Sequence, residues 1–183
     1  MRRLLMWNII TLDGFFEGTK PWDLGFHELV WGEELQRLST EQLDGADTLL
    51  FGRATYEGMA AYWPDAKGEG GITGRMNAIE KVVVSNTLTS ADWNNSRIVR
   101  GDGADAVADL KATEGRDILI FGSAILSEAL TRRRLIDEYR IGVAPTLFGA
   151  GRRLFTDETR HDLKLVDVAT TQTGCAILRY VPA

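Results

Sequence analysis

The sequence predicts a three-layer α/β/α domain built on a mostly parallel mixed sheet, with a C-terminal antiparallel hairpin at its edge. Two observations carry that reading. Short apolar runs end at glycine or polar turns and feed amphipathic stretches, as strands buried on both faces do when helices follow them. Segments 163–170 and 175–181 then alternate apolar and polar residues and are separated by Thr171-Gln172-Thr173-Gly174, which is the pattern of a hairpin.

In chain order, residues 4–12 are a near-continuous apolar run that Asp13-Gly14 breaks, which makes a central strand. Residues 15–31 are irregular and aromatic, with Gly18, Pro21 and Gly25 blocking a long helix, and read as a long loop over a pocket. Leu35, Leu38 and Leu43 set a helix over 33–43, and Gly45 lies just beyond it. Residues 47–52 form a strand that feeds a helix over 56–63, which Pro64 stops. Glycines and charges crowd 65–74, as in a surface loop. The β-branched run 81–85 is a strand, 97–100 a shorter one, and 104–113 a helix ending before Gly115. The clearest strand-turn-helix unit is 117–121, Gly122-Ser123 and 124–134. A strand over 139–144 closes at Pro145, and 147–151 is a glycine-rich excursion.

The 183 residues suit one domain, residues 1–183, and are too few for two comfortable ones. With 44% hydrophobic and 26% charged residues, neither disorder nor a fibrous repeat is indicated. Net charge is -5 and the basic residues are dispersed apart from Arg132-Arg133-Arg134, so nucleic acid is not an expected partner. The single cysteine, Cys175, has no intramolecular disulfide partner, and no Cys/His cluster offers metal-ligand spacing. No apolar run approaches the roughly 20 residues that span a bilayer, and the apolar start meets Asp13 too early for a signal-peptide core. A soluble, cytoplasmic protein without metal is the expectation.

In open α/β sheets, ligands collect beyond the carboxyl ends of the strands. Asp13-Gly14, Gly52-Arg53, Ser85-Asn86 and Gly122-Ser123 all fall at such ends. Gly52 lets a ligand approach the backbone, Arg53 offers a planar donor fork, and the free N–H groups and dipole of the following helix favour an anion. Gly122-Ser123 opens a second helix in the same way. A single glycine turn with a solvated charge is ordinary punctuation; four polar or glycine turns on one rim point to a nucleotide-phosphate site.

Thr11-Leu12-Asp13-Gly14-Phe15, Leu50 to Glu57 (LFGRATYE), Val83 to Leu88 (VVSNTL), Ile120 to Ala124 (IFGSA), Leu135 to Glu138 (LIDE) and Pro145 to Gly151 (PTLFGAG) occur in that order over nearly the whole chain. The ordered set resembles the dihydrofolate-reductase-like superfamily, in its branch related to the C-terminal reductase domain of riboflavin biosynthesis, RibD. The resemblance implies a dihydrofolate-reductase-like fold and an NADPH site on this rim. Gly52, Arg53 and Thr55 then match the motif at the adenosine phosphates, Ser85 and Asn86 the turn near the ribose phosphate, and Gly122, Ser123 and Ala124 the pyrophosphate turn. The aromatic loop becomes a lid, with Trp22, Tyr56, Tyr62 and Trp63 available to stack on a flat substrate. Two departures stand out: relatives often carry Arg where this chain has Asn86, and riboflavin-pathway reductases tend to place a lysine and an acid where it has Phe15 and Phe121.

The expected activity is NAD(P)H-dependent hydride transfer to a small, heteroaromatic substrate of pterin or pyrimidine type. The alternatives are a non-catalytic nucleotide or pterin binder of the same fold, a structural dimer with an empty cleft, and the 5-amino-6-(5-phosphoribosylamino)uracil reductase of riboflavin biosynthesis. Candidate groups for orienting or delivering the proton are Asp13, at a strand end, and Glu33 and Glu34, at a helix start. Each has a plainer reading: Asp13 as a turn cap, the glutamates as acids placed by the helix dipole. His27 and His161 read as surface residues without a role. A homodimer is expected, with the apolar 145–151 segment as one contact surface.

Overall fold

The computed structural model describes residues 1–68, 71–155 and 160–183. The strands are β1 (Leu4–Thr11), β2 (Phe15–Glu17), β3 (Ala46–Gly52), β4 (Glu80–Val84), β5 (Ser96–Val99), β6 (Asp117–Phe121), β7 (Glu138–Ala144), β8 (Arg152–Arg153), β9 (Leu163–Thr170) and β10 (Ala176–Pro182). The helices are α1 (His27–Val30), α2 (Glu33–Gly45), α3 (Arg53–Tyr62), α4 (Ile72–Ala78), α5 (Gly103–Ala112) and α6 (Ala124–Arg132). Eight strands form one sheet in the order β5-β4-β3-β6-β1-β7-β10-β9. The six from β5 to β7 are parallel; β10 runs antiparallel to both β7 and β9.

Period-two alternation in each strand builds the two covered faces. In β1, Leu5, Trp7 and Ile9 point to the side of α1–α4, where Val30, Leu35, Tyr56, Ile72 and Met76 meet them. Leu4 and Met6 point to α5 and α6, against Val107, Leu110, Leu126 and Leu130. The expected three-layer sandwich and terminal hairpin are both present.

Four local features differ from the sequence reading. Ile72 and Met76, one helical turn apart and both buried, draw α4 out of what reads as a glycine-rich loop; Glu69 and Gly70 of that loop lie outside the described residues. Within the long aromatic segment, β2 pairs with β8 as a separate two-stranded sheet, and α1 adds one helical turn. Arg53 belongs to α3 itself, with Gly52 as its N-cap. His27 is half-buried rather than openly exposed: Phe26 packs edge-on against its ring at 4.6 Å, and its buried Nε2 has no hydrogen-bond partner among the described residues.

Burial pushes the His27 pKa down to about 4, from an ordinary value near 6.5. Between those values the unfolded chain binds a proton that the folded one does not. Stability is therefore expected to be level above pH 6.5 and to fall as pH drops toward 4, by up to about 1.4 kcal/mol per pH unit. Urea midpoints measured across that window should lose most of this slope in His27→Leu.

Candidate functional site

The chain moves outward from β1 to β3, β4 and β5, then turns back to β6 and β7. As a result β3 hands over to α3 on one face of the sheet, and its neighbour β6 hands over to α6 on the other. Neighbouring strands whose connections diverge in this way open a crevice at their carboxyl ends. The two glycine turns flank that crevice.

They are also tied together. The Gly52 N–H donates to Ser123 Oγ at 2.7 Å, and that hydroxyl donates to Thr55 Oγ1 at 2.8 Å. Gly122 (φ +54°) and Ser123 (φ +58°) both take left-handed backbone, which turns the chain sharply into α6. A Cβ on Gly52 would come within 2.7 Å of Ser123 Oγ, and one on Gly122 within 3.3 Å of Thr55 Oγ1. The starts of α3 and α6 thus lie side by side, each with first-turn N–H groups that no intrahelical carbonyl can accept. Arg53, whose side chain is 54% exposed, is held among the described residues by a 3.8 Å surface contact with Glu57. Such a pair contributes little, so the guanidinium can turn to an anion at small cost.

Asn8 lies just behind this turn. Its Oδ1 accepts the Gly122 N–H at 2.8 Å, while its buried Nδ2 has no partner among the described residues. The rim is stepped here, because β6 ends at Phe121 opposite Trp7 whereas β1 continues to Thr11. Four residues of β1, roughly 13 Å of strand, keep the edge that faces β6 free of a strand partner.

At the other side of the crevice, Ser85 and Asn86 lie two strands from Gly122, roughly 10 Å away. Ser85 Oγ accepts the N–H groups of Thr87 and Leu88. Asn86 exchanges hydrogen bonds with Gly101, 2.8 Å to its Oδ1 and 3.1 Å from its Nδ2, which fixes one strand end to the next. The cation at this corner is Arg100, an exposed residue whose guanidinium donates to the carbonyls of Ser85 (2.8 Å) and Leu88 (2.5 Å). Sequence reasoning passed over Arg100, although Arg-Gly directly after a short strand was the same signal as at Gly52-Arg53.

The proposed acids are elsewhere. Asp13 Oδ2 accepts the N–H groups of Gly149 at 2.7 Å and Phe148 at 3.1 Å, and its Oδ1 accepts the Thr11 hydroxyl at 2.6 Å. The Thr11 hydroxyl bond and these backbone N–H groups hold the Asp13 pKa down to about 2. An acid held there is ionised at neutral pH and has no proton to give, so Asp13 is an anchor for the 145–151 segment. Glu33 is exposed; Glu34 is half-buried and accepts the Gln172 N–H at 3.3 Å, beside the hairpin turn.

The aromatic set divides. Tyr56 is in the core, 3% exposed, its hydroxyl accepting the Trp93 N–H at 3.0 Å; it occupies the inward stripe of α3 and cannot also stack on a substrate. Trp22 lies on Gly58 of α3, whose missing side chain makes room for the indole. Trp63 Nε1 donates to Met59 Sδ at 3.1 Å, and Tyr62 meets Trp63 edge-on at 5.1 Å, near the C-terminal end of α3. A separate cavity of about 140 Å³, lined in part by Arg134, Tyr139, His161 and Leu163, opens at the opposite end of the sheet, away from the glycine turns. Among the described residues no His/Cys/Asp/Glu group could hold a metal ion, and no helix is long and apolar enough to cross a membrane.

The fold and its stepped crevice place this protein in the dihydrofolate-reductase-like class. Dihydrofolate reductase from Enterococcus faecalis, solved with NADP(H), superimposes with a TM-score of 0.66 at 13% identity, covering 98% of this chain and 96% of that one. The family profile of the RibD C-terminal domain matches residues 2–178, and the chain belongs to that family. A protein of Shewanella sp. PV-4, described as a candidate riboflavin biosynthesis protein, aligns over 99% of both chains with a TM-score of 0.80 and 21% identity. The uncharacterized protein YyaP of Bacillus subtilis (strain 168) is 29% identical over 191 residues, spanning 98% of this chain and 94% of the relative.

Proposed function

We propose that this protein is an NADPH-dependent reductase that transfers a hydride to a small heteroaromatic substrate. The observation that carries the reading is the pair of glycine turns, joined through Ser123 Oγ, that start α3 and α6 on opposite faces beside the free edge of β1. The residues fit a dinucleotide in extended form. Arg53, Thr55, Ser123 and Ala124 would hold the pyrophosphate on backbone N–H groups and one guanidinium, while Gly52 and Gly122, whose own N–H groups are engaged by Ser123 and Asn8, would let the ligand approach the backbone closely. Ser85 and Asn86 lie toward the adenosine side, where Arg100 supplies the cation that Asn86 does not. The free edge of β1 offers backbone donors and acceptors to a flat amide-bearing ring, and the unpaired Asn8 Nδ2 is a further donor at the turn.

Bound NADPH supplies the hydride; the protein binds, orients and keeps water out. Thr55 and Ser123 fix the separation of the two turns, so the seat is formed before the ligand arrives. The loop carrying Trp22 lies over α3, and Trp22, Tyr62 and Trp63 are the aromatic surfaces offered to a flat substrate. For the proton, Asp13 is committed to the 145–151 segment, which leaves Glu33 and Glu34 at the start of α2 as the carboxylate candidates, with Glu34 the half-buried one. A steady-state NADPH oxidation assay against a panel of pterins and pyrimidines tests the reading. With a turned-over substrate in hand, Glu34→Gln is expected to lower kcat by about 10²-fold or more. Asp13→Asn should act chiefly on KM, by loosening the 148–149 turn. Full activity in both Glu34→Gln and Glu33→Gln would assign the proton to water.

A second reading, a non-catalytic pterin or nucleotide binder, is favoured by one observation: the carboxylate at the end of β1 is fully engaged as an acceptor. NADPH binding without oxidation against any of the panel would support it. The riboflavin-pathway reductase reading is weakened by Phe15 and Phe121. Both are spent on packing, Phe15 under the Arg153 guanidinium at 4.6 Å and Phe121 stacked on Phe51 at 6.3 Å.

A further inference from the structure

The cavity of about 140 Å³ at the far end of the sheet lies where α6 ends, among the first residues of β7 and β9 and the last of β10. The Tyr139 ring, Leu163 and Pro182 give it apolar walls, and its charged side chains are Arg134 and Asp162. Of the run Arg132-Arg133-Arg134, Arg132 pairs with Glu128 and Arg133 with Asp105 at 2.7 Å. The Arg134 guanidinium and the Asp162 carboxylate have no ion pair or hydrogen bond among the described residues, with each other or with any third group. Arg134 follows the C-cap of α6 and takes left-handed backbone at φ +53°. There its N–H donates to the Thr131 carbonyl and the Leu135 N–H to the Leu130 carbonyl, both at 3.0 Å. Glycine fills such a helix stop at least cost, yet this position carries a long cation. His161, read from the sequence as a surface residue, is half-buried in the same wall, and both its ring nitrogens are buried without a partner among the described residues.

We propose that this cavity is a binding site for a small apolar α-amino acid. Opposite charges that open to one cavity without meeting leave a gap that a zwitterion closes. Arg134 takes the carboxylate on its planar donor fork, and Asp162 takes the ammonium. A simple acid would gain Arg134 but be repelled by Asp162; a simple amine would meet the reverse. The free volume is close to the roughly 150 Å³ in which a benzene ring fits, so a side chain of valine or leucine size can lie against Tyr139, Leu163 and Pro182. Such a side chain gains from leaving water, whereas a polar one would face these walls without a partner. The imidazole of His161 adds a hydrogen-bonding group with unmet capacity beside the two charges. The site shares no residue with the glycine turns, and it is independent of the cofactor reading.

Calorimetric titration of L-valine and L-leucine into the whole protein tests this. At least one of them is expected to bind saturably at one site per chain. Isocaproate, which is leucine without its ammonium, and isoamylamine, which is leucine without its carboxylate, should each bind at least about 10-fold more weakly, the usual effect of losing a charge-assisted contact. Arg134→Gly and Asp162→Asn should each weaken the amino acid by a similar factor. Glycine suits the left-handed position and Asp162 is exposed, so both variants should keep the wild-type circular dichroism spectrum. If Arg134→Gly does not fold, Arg134→Gln tests the same charge. No saturable binding of either amino acid by the wild type, equal binding of isocaproate or isoamylamine, or full affinity in either folded variant would overturn the proposal.

Discussion

Gly122→Val is expected to abolish NADPH binding, weakening it by at least about 100-fold, or about 2.7 kcal/mol, while the chain stays folded. The turn has φ +54° at this position, a conformation that β-branched residues avoid, and a Cβ there would stand 3.3 Å from Thr55 Oγ1 and 3.4 Å from its methyl. Valine would push Thr55 aside and break its bond to Ser123, separating the two helix starts. Backbone strain of roughly 1–3 kcal/mol should lower the melting temperature by several degrees without unfolding the domain. Gly122→Ala, which adds only the Cβ, serves where valine proves too disruptive. Unchanged affinity in a folded variant would remove this turn from the site.

Phe51→Ala should cost about 3–5 kcal/mol of stability. Phe51 is fully buried at the end of β3, with the rings of Trp93, Phe121 and Tyr56 at 6.1, 6.3 and 6.5 Å. Three segments therefore lose a ring contact when it is truncated: α3, β6 and the loop carrying Trp93. Urea unfolding of both proteins measures the difference. A loss below about 1 kcal/mol would mean that the aromatic cluster repacks, and that the rim does not depend on it.

Elements with a strong local period were legible in the residues alone. Asp117–Phe121 and Leu163–Thr170 have their predicted bounds because buried runs and alternation are properties of the strand itself. The helix α4 was not legible, since Gly71 and Gly74 bracket or interrupt a helix whose inward stripe consists of Ile72 and Met76 alone. Likewise β2 and β8 are strands only through each other, joining Phe15 to Arg153 across most of the chain.

The same division runs through the site. Glycine followed by a helix start located the two turns that begin α3 and α6, because that signal is local. Whether a polar side chain is free depends on partners far away in sequence, and there the residues were silent. Asp13 is taken by Phe148 and Gly149, and Asn86 by Gly101. Tyr56 faces inward because Trp93 and Phe51 complete its pocket. Asn8 carries no local signal inside an apolar strand, and its bond to the Gly122 N–H exists only once β1 and β6 are paired.

Calorimetric titration of NADPH into the wild type and Arg53→Ala tests the central claim most directly. The account predicts saturable binding at one site per wild-type chain, and a loss of about 1–3 kcal/mol in the variant, the usual effect of removing a charge-assisted contact. No binding by the wild type, or equal binding by the two proteins, would contradict it.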